Sequence, residues 1–290
     1  MKTKYSKEPS FILFPTTGSP IYDVVLRLIA NPLERNIKNS GTCSFVASNL
    51  GITAKHVIED FLKTYGVSSG TANVSLWALQ ITNDESIFAV WEAREVWLSP
   101  HTDIALIHLI PYDENAGKVI PKQLSLDLIP PEVGSRVVGF GYHSRSGMSS
   151  VETNSVGGSD IKVNDEPYTT VGEVMEVYPE RRDSFLLNFP SYRVNFKSKP
   201  GMSGGPVFND DGKLCGLITT GVEIENGKYE VNVVSLWPLL GITINANRGG
   251  NYPRDIFYPV YELARDKIIA AIGWERVVLD SITNKISLKA

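Results

Sequence analysis

The chain has 290 residues, 42% of them apolar and 21% charged, which is ordinary globular usage and enough to bury a sizeable core. Its net charge is −4 and its densest basic run is the pair Arg181-Arg182, so no basic stripe is available for a nucleic-acid partner. Two cysteines, Cys43 and Cys215, are too few for a secreted disulfide scaffold of this size; both sit in apolar stretches and read as buried thiols.

The N-terminal "MKTKYSKEPSFILFP" carries an apolar run only from Phe11 to Phe14, short of the roughly 7–15 residues of a signal peptide. No later window reaches the apolar length of a membrane span. The expectation is a cytoplasmic, reduced protein with no membrane partner and a loose arm over its first twenty residues. A first strand is predicted over 22–30, "YDVVLRLIA", and a hairpin over 41–57, turning at Asn49-Leu50-Gly51. "VIEDFLKTYG" reads as a short helix ending at Gly66. Strand signals follow over 72–81, 88–99, 103–110 and 135–142, and then in "EVMEVYP", "FLLNFP", "YRVNF", "PVFND", "KLCGLITTG" and "YEVNVVSL". Turn signals at Pro130-Pro131, Gly157-Gly158 and "NDDG" (209–212) separate them, a spacing that suggests an all-β barrel or sandwich class. The periodicity of Val260, Leu263, Ile268, Ile269 and Ile272 predicts a helix over 260–273 stopped by Gly273. The closing "WERVVLDSITNKISLK" reads as a hairpin or a small appendage.

The stretch with the most chemistry is "KPGMSGGPVF" (199–208). It fits G-x-S-x-G, the nucleophile elbow of α/β-hydrolases, and G-x-S-G-G-P; alone it also fits a structural glycine turn. A nucleophilic serine needs a base, and the base an orienting acid. In the hydrolases the order is Ser, acid, His. All four histidines, His56, His101, His108 and His143, precede Ser203, which excludes the elbow. The order His, Asp, Ser remains. "ITAKHV" sets His56 where an apolar strand leads into a helix. "HTDIALIHL" sets Asp103 at the head of an apolar strand, whereas the rivals Asp60 and Asp84 head none. Gly201 and Ser203 can aim backbone N–H groups at a developing oxyanion. His101 and His143 read as loop residues and His108 as a partly buried strand residue. His56 and Glu59 make only a partial metal pair, so no metal site is expected.

"TAKHV", "DIALI" and "GMSGGPVF", in this order, with Asp103 47 residues after His56 and 100 before Ser203, resemble the three signatures of the trypsin/chymotrypsin-like serine proteases. The resemblance implies two antiparallel six-stranded β-barrels with a C-terminal helix: an N-terminal barrel over 20–115, a C-terminal barrel over 130–245, and a helix and tail over 258–290. It implies His56 as general base, Asp103 as its orienter and Ser203 as nucleophile, with the oxyanion hole at Gly201 and Ser203 and no cofactor. Thr219, Thr220 and Gly221 in "GLITTG" would bind an extended polypeptide substrate, and Gly221 and Gly227 would leave a side-chain pocket open. Lys197, six residues before the serine, stands where the family sets pocket specificity, and a lysine there would favour acidic side chains.

Two departures stand out. Met202 occupies the position where the digestive enzymes carry an aspartate that receives a newly cut N-terminus, so no such activation switch is expected. No cysteine follows His56, so the disulfide bracketing that loop is absent; both features resemble the bacterial and intracellular branches. The expected function is a serine endopeptidase. The alternatives are a catalytically silent module that binds a peptide or protein partner, and a protease regulated by a partner docked on the N-terminal arm and the tail.

Overall fold

A computed structural model describes residues 19–30, 39–65, 75–81, 88–144, 151–153, 161–163, 165–224, 228–245, 257–280 and 286–289. Residues 1–18 of the predicted N-terminal arm, Gly66, Asp84 and Gly227 lie outside the described residues.

The first barrel closes from six antiparallel strands: β1 (Val25–Ala30), β2 (Asn39–Ala47), β3 (Leu50–Thr53), β4 (Leu76–Ile81), β5 (Phe88–Leu98) and β6 (Ala105–Pro111), in the ring order β1-β2-β3-β6-β5-β4. Alternation sends Leu26, Leu28, Cys43, Phe45, Ile107 and Leu109 to the interior, where the Phe45 and Trp91 rings meet edge to face at 5.2 Å. The opposite faces of the same strands are not free. Val25, Val46, Ile52, Ile104 and Leu106 pack against the second half of the chain, which is why β1 and β3 are buried along their whole length. Helix α1 (Lys55–Tyr65) lays Val57, Ile58 and Phe61 on the barrel mouth. A one-turn helix α2 (Glu114–Lys118), capped by the Asp113 side chain, leads out of β6.

The second barrel is built from β8 (Arg136–Ser144), β11 (Asp165–Tyr178), β12 (Ser191–Val194), β13 (Pro206–Phe208), β14 (Leu214–Ile224) and β15 (Lys228–Ser235). Its antiparallel order β13-β8-β11-β12-β15-β14 closes because β13 also pairs with β14. Its interior holds Val137, Tyr192, Phe196, Met202, Val207, Cys215 and Ile218. The short β7 (Leu126–Asp127) adds to β14 in parallel, and the hairpin β9 (Val151–Thr153)–β10 (Ile161–Val163) stands apart. The all-β double barrel expected from the trypsin resemblance is therefore the fold. Both cysteines are free and buried, one in each barrel.

The C-terminal region departs from the sequence reading. β16 (Thr243–Asn245) pairs with β17 (Phe257–Pro259), and helix α3 then runs only over Val260–Arg265 instead of 260–273. Lys267 takes a left-handed φ of 61°, and Lys267 N–H and Ile268 N–H close back on Ala264 O and Leu263 O, a Schellman ending. The apolar residues that extended the apparent period do other work. Ile269 is fully buried, and β18 (Ala271–Ile272) pairs in parallel with β7. The predicted closing hairpin is present as β19 (Val277–Leu279) and β20 (Ile286–Leu288). Ile286 rests on Gly241, so this part of the tail packs on the short 3-10 helix Trp237–Gly241 that follows β15. The segment "FLLNFP" (185–190), read as a strand, is a loop. Among the described residues no helix is long and apolar enough to cross a membrane.

Candidate active site

His56 stands in the first turn of α1, directly after β3, and Asp103 sits just before β6. Because β3 and β6 are paired neighbours, the two residues meet at one barrel end. One Asp103 oxygen accepts the His56 backbone N–H at 2.9 Å; the other lies 2.8 Å from His56 Nδ1. The carboxylate is nearly buried, while the ring keeps about a third of its surface, 33%, exposed. Burial by itself pulls the His56 pKa down. The hydrogen bond and charge of Asp103, helped by Asp60 and Glu59, outweigh it and hold the ring above the ordinary histidine value.

Ser203 comes from the second barrel, in the loop that enters β13. Gly201 (φ 95°) and Gly204 (φ 77°) take left-handed backbone that other residues adopt at a cost. A Cβ on Gly204 would collide with Thr53 Oγ1 and Thr42 O, so only glycine lets the loop lie on the first barrel. Met202 N–H closes a turn on Lys199 O, and Gly205 N–H closes the next on Met202 O at 2.8 Å. Among the described residues no acceptor takes the N–H of Gly201 or of Ser203. Met202 is fully buried in the barrel core against Gly141, which explains an apolar residue at this position.

Ser203 Oγ donates to Thr219 O at 3.4 Å and makes no hydrogen bond to His56. Thr219 in turn lines a cavity of about 420 Å³ that contains His56 and Asp103, with Lys55, Glu59, Pro100, His101, Thr220 and the loop residues Leu186, Asn188 and Phe189. The structure thus joins His56 to Asp103 directly, whereas Ser203 does not itself line this cavity and is linked to it by its bond to Thr219, a lining residue. The β14 ladder is broken by a register shift between Ile218 and Thr220, after which the strand is exposed. Thr220 Oγ1 accepts from Asn232 Nδ2 at 3.0 Å, and Asn232 Oδ1 accepts from Arg182 at 3.0 Å.

Other expected site residues are placed differently. The side of Gly221 where a Cβ would stand is occupied by the Ser198 hydroxyl, so this glycine faces a filled space rather than an open pocket. Lys197 is exposed, with its ammonium 4.6 Å from the centre of the Tyr229 ring, and does not line the cavity beside His56. A hydrogen bond to Tyr229 and the charges around it raise the Lys197 pKa. His101, read as a loop residue, forms part of the cavity wall, and His108 is buried on β6. Among the described residues no group of three or more His, Cys, Asp or Glu could hold a metal ion.

Sequence reasoning missed the 182–189 loop. The Asp183 carboxylate accepts the N–H groups of Phe185, Leu186 and Leu187, and so holds up an exposed apolar tip at Phe185 and Leu186. The signal was the turn-forming Asp183-Ser184 pair, hidden by the apolar run after it.

Residues 41–217 match the trypsin-like peptidase domain family, and the chain belongs to it. Among curated protein sequences none matches. Among solved structures the chain is similar to the Rv3671c protease of M. tuberculosis in its active form, with 17% identity over 82% of this chain and 87% of that one and a TM-score of 0.50. It is also similar to the MamO protease domain of Magnetospirillum magneticum (15% identity, 74% and 93% coverage, TM-score 0.49). A third is a serine endoprotease of Yersinia pestis (16% identity, 74% and 59% coverage, TM-score 0.47). At these identities the first likeness speaks for the fold.

Proposed function

We propose that the protein is a serine endopeptidase in which His56, Asp103 and Ser203 act as a triad. The observation that carries this reading is the two-point grip of Asp103 on His56, in a cavity walled by the strand that holds Ser203 Oγ. With Nδ1 facing Asp103, the opposite ring nitrogen, Nε2, is the one left to serve the cleft. The triad requires the Ser203 hydroxyl to leave Thr219 O and reach that nitrogen; such contacts are often loose before substrate binds.

In the proposed reaction an extended peptide pairs along β14 at Thr219–Gly221, by strand addition. Ser203 Oγ gives its proton to His56 Nε2 and bonds to the substrate carbonyl carbon, whose electron pair moves to oxygen. The N–H groups of Gly201 and Ser203 donate hydrogen bonds to that oxyanion. Collapse breaks the C–N bond, and His56 passes its proton to the leaving amine. A water molecule, deprotonated by the same ring, then attacks the acyl-enzyme; the carboxylic acid leaves and the Ser203 hydroxyl is restored. Asp103 keeps the ring oriented and stabilises its charged form. The chemistry is complete without a cofactor.

One observation favours a second reading, a silent peptide-binding module: the Ser203 hydroxyl rests on Thr219 O rather than on His56. Hydrolysis of a mixed peptide library by the full chain and by Ser203→Ala separates the two. The enzyme reading predicts cleavage that disappears in the variant. Cleavage at the parent rate by Ser203→Ala, or none by either protein, contradicts it.

A further inference from the structure

Thr42 is fully buried at the seam between the barrels, far in sequence from the serine loop. Its N–H donates to Ser203 O at 2.9 Å, and its hydroxyl donates to Gly201 O at 3.0 Å. The same hydroxyl oxygen accepts Tyr142 N–H from β8 at 3.1 Å, and the Thr42 carbonyl accepts Thr53 Oγ1 at 2.7 Å. A hydroxyl has one proton to give. With a lone pair occupied by Tyr142 N–H, its proton is directed at Gly201 O.

This single residue therefore holds the carbonyls on both sides of Met202. Those are the carbonyls of Gly201 and Ser203, the two residues whose N–H groups have no acceptor among the described residues. Gly201, at φ 95°, is the point in the loop where a peptide plane turns over most easily, since glycine populates both signs of φ. An anchor on its carbonyl holds the Gly201–Met202 peptide plane, one of the two planes that meet at the Gly201 Cα, and so limits that freedom. The anchor comes from the first barrel, which also carries His56 and Asp103. We propose that Thr42 is a positioning residue: its hydroxyl fixes the Gly201–Met202 peptide and its N–H fixes the Ser203 carbonyl, so that the N–H groups of Gly201 and Ser203 converge on one point, and it ties that geometry to the docking of the two barrels.

The proposal rests on the peptidase reading for its catalytic consequence, but not for its structural one, and the test keeps these apart. Thr42→Val keeps the shape and the backbone N–H and removes the hydroxyl; Thr42→Ser keeps the hydroxyl. In peptide hydrolysis, Thr42→Val is expected to lower kcat by about tenfold or more with KM within twofold, less than the 10²–10³ that follows loss of a whole oxyanion donor. Thr42→Ser is expected to restore kcat to within threefold. In uniformly ¹⁵N-labelled full-length protein, the Gly201 and Ser203 amide resonances are expected to broaden or double in Thr42→Val and to remain single in Thr42→Ser, whether or not the protein hydrolyses anything. Thr42→Ala serves in the same measurements if the valine variant does not fold. Unchanged amide resonances in a hydroxyl-free variant overturn the proposal. So does a kcat within twofold of the parent in an active protein, or an equal loss in the serine variant.

Discussion

Asp103 holds His56 by two bonds of almost equal length, 2.9 Å to the backbone N–H and 2.8 Å to ring Nδ1. The first fixes where the helix α1 begins relative to β6; the second fixes which ring nitrogen faces the cleft. An asparagine keeps the size of the aspartate but can present an NH₂ group to Nδ1, which selects the wrong tautomer. Asp103→Asn is expected to lower kcat for peptide hydrolysis by on the order of 10³–10⁴-fold with little change in Tm. A loss below tenfold would show that the carboxylate is structural only.

The direction of the His56 shift predicts the pH profile. The folded ring binds its proton more tightly than the ordinary histidine, whose pKa is about 6.5. As only the neutral ring accepts a proton, kcat/KM should rise with pH along a limb centred above pH 6.5. Linkage gives the companion effect on stability. The folded state binds more proton between the two pKa values, so this contribution is full below the unfolded value and is lost as pH rises through the folded one. Denaturant midpoints measured across pH 6–9 should show this decline, and Asp103→Asn should flatten it.

Met202 lies fully buried among Val137, Phe196, Val207 and Ile218. An aspartate in that core would be a charge with no partner among these residues. Met202→Asp is expected to cost about 4 kcal/mol, read as a large fall in Tm. A change of less than about 1 kcal/mol would mean that the side chain finds a polar partner and that this position tolerates a charge after all.

Leu186 and Phe189 give the cavity beside His56 apolar lining, alongside the polar Lys55, Glu59 and His101. Peptides with a large apolar residue on the N-terminal side of the scissile bond are expected to be cleaved faster than serine-containing counterparts. Leu186→Asp should remove about tenfold of that preference. Positional-scanning libraries measure both, and an unchanged preference would place the apolar contact elsewhere.

What was legible in the sequence follows the local physics. His56 and Asp103 could be placed because each sits at the end of an apolar strand, and β3–β6 pairing then brings the ends together. The tight loop around Ser203 was legible because glycine needs a reason, and here the reasons are φ values near 95° and 77° at Gly201 and Gly204 and the closeness of Thr53. Four features were not legible. The 260–273 period mixed one short helix with residues that tertiary packing uses otherwise, Ile269 in the core and Ala271–Ile272 on β7. The 185–190 run is apolar because Leu187 and Phe189 pack into the core while Leu186 lines the cleft, which an apolar pattern cannot distinguish from a strand. Gly221 gave no sign of Ser198, since contacts across a barrel leave no local trace. Thr42 was silent for the same reason: its partners lie 100 and 159 residues away.

The most direct test of the triad is covalent. A fluorophosphonate probe, which requires a serine hydroxyl activated by a neighbouring base, should react with the intact chain, and peptide mass spectrometry should find the adduct on Ser203 alone. Labelling should be lost in His56→Ala, with the fold retained by circular dichroism. A well-folded chain that takes up no probe, or one that carries the adduct equally with alanine at position 56, would contradict the account.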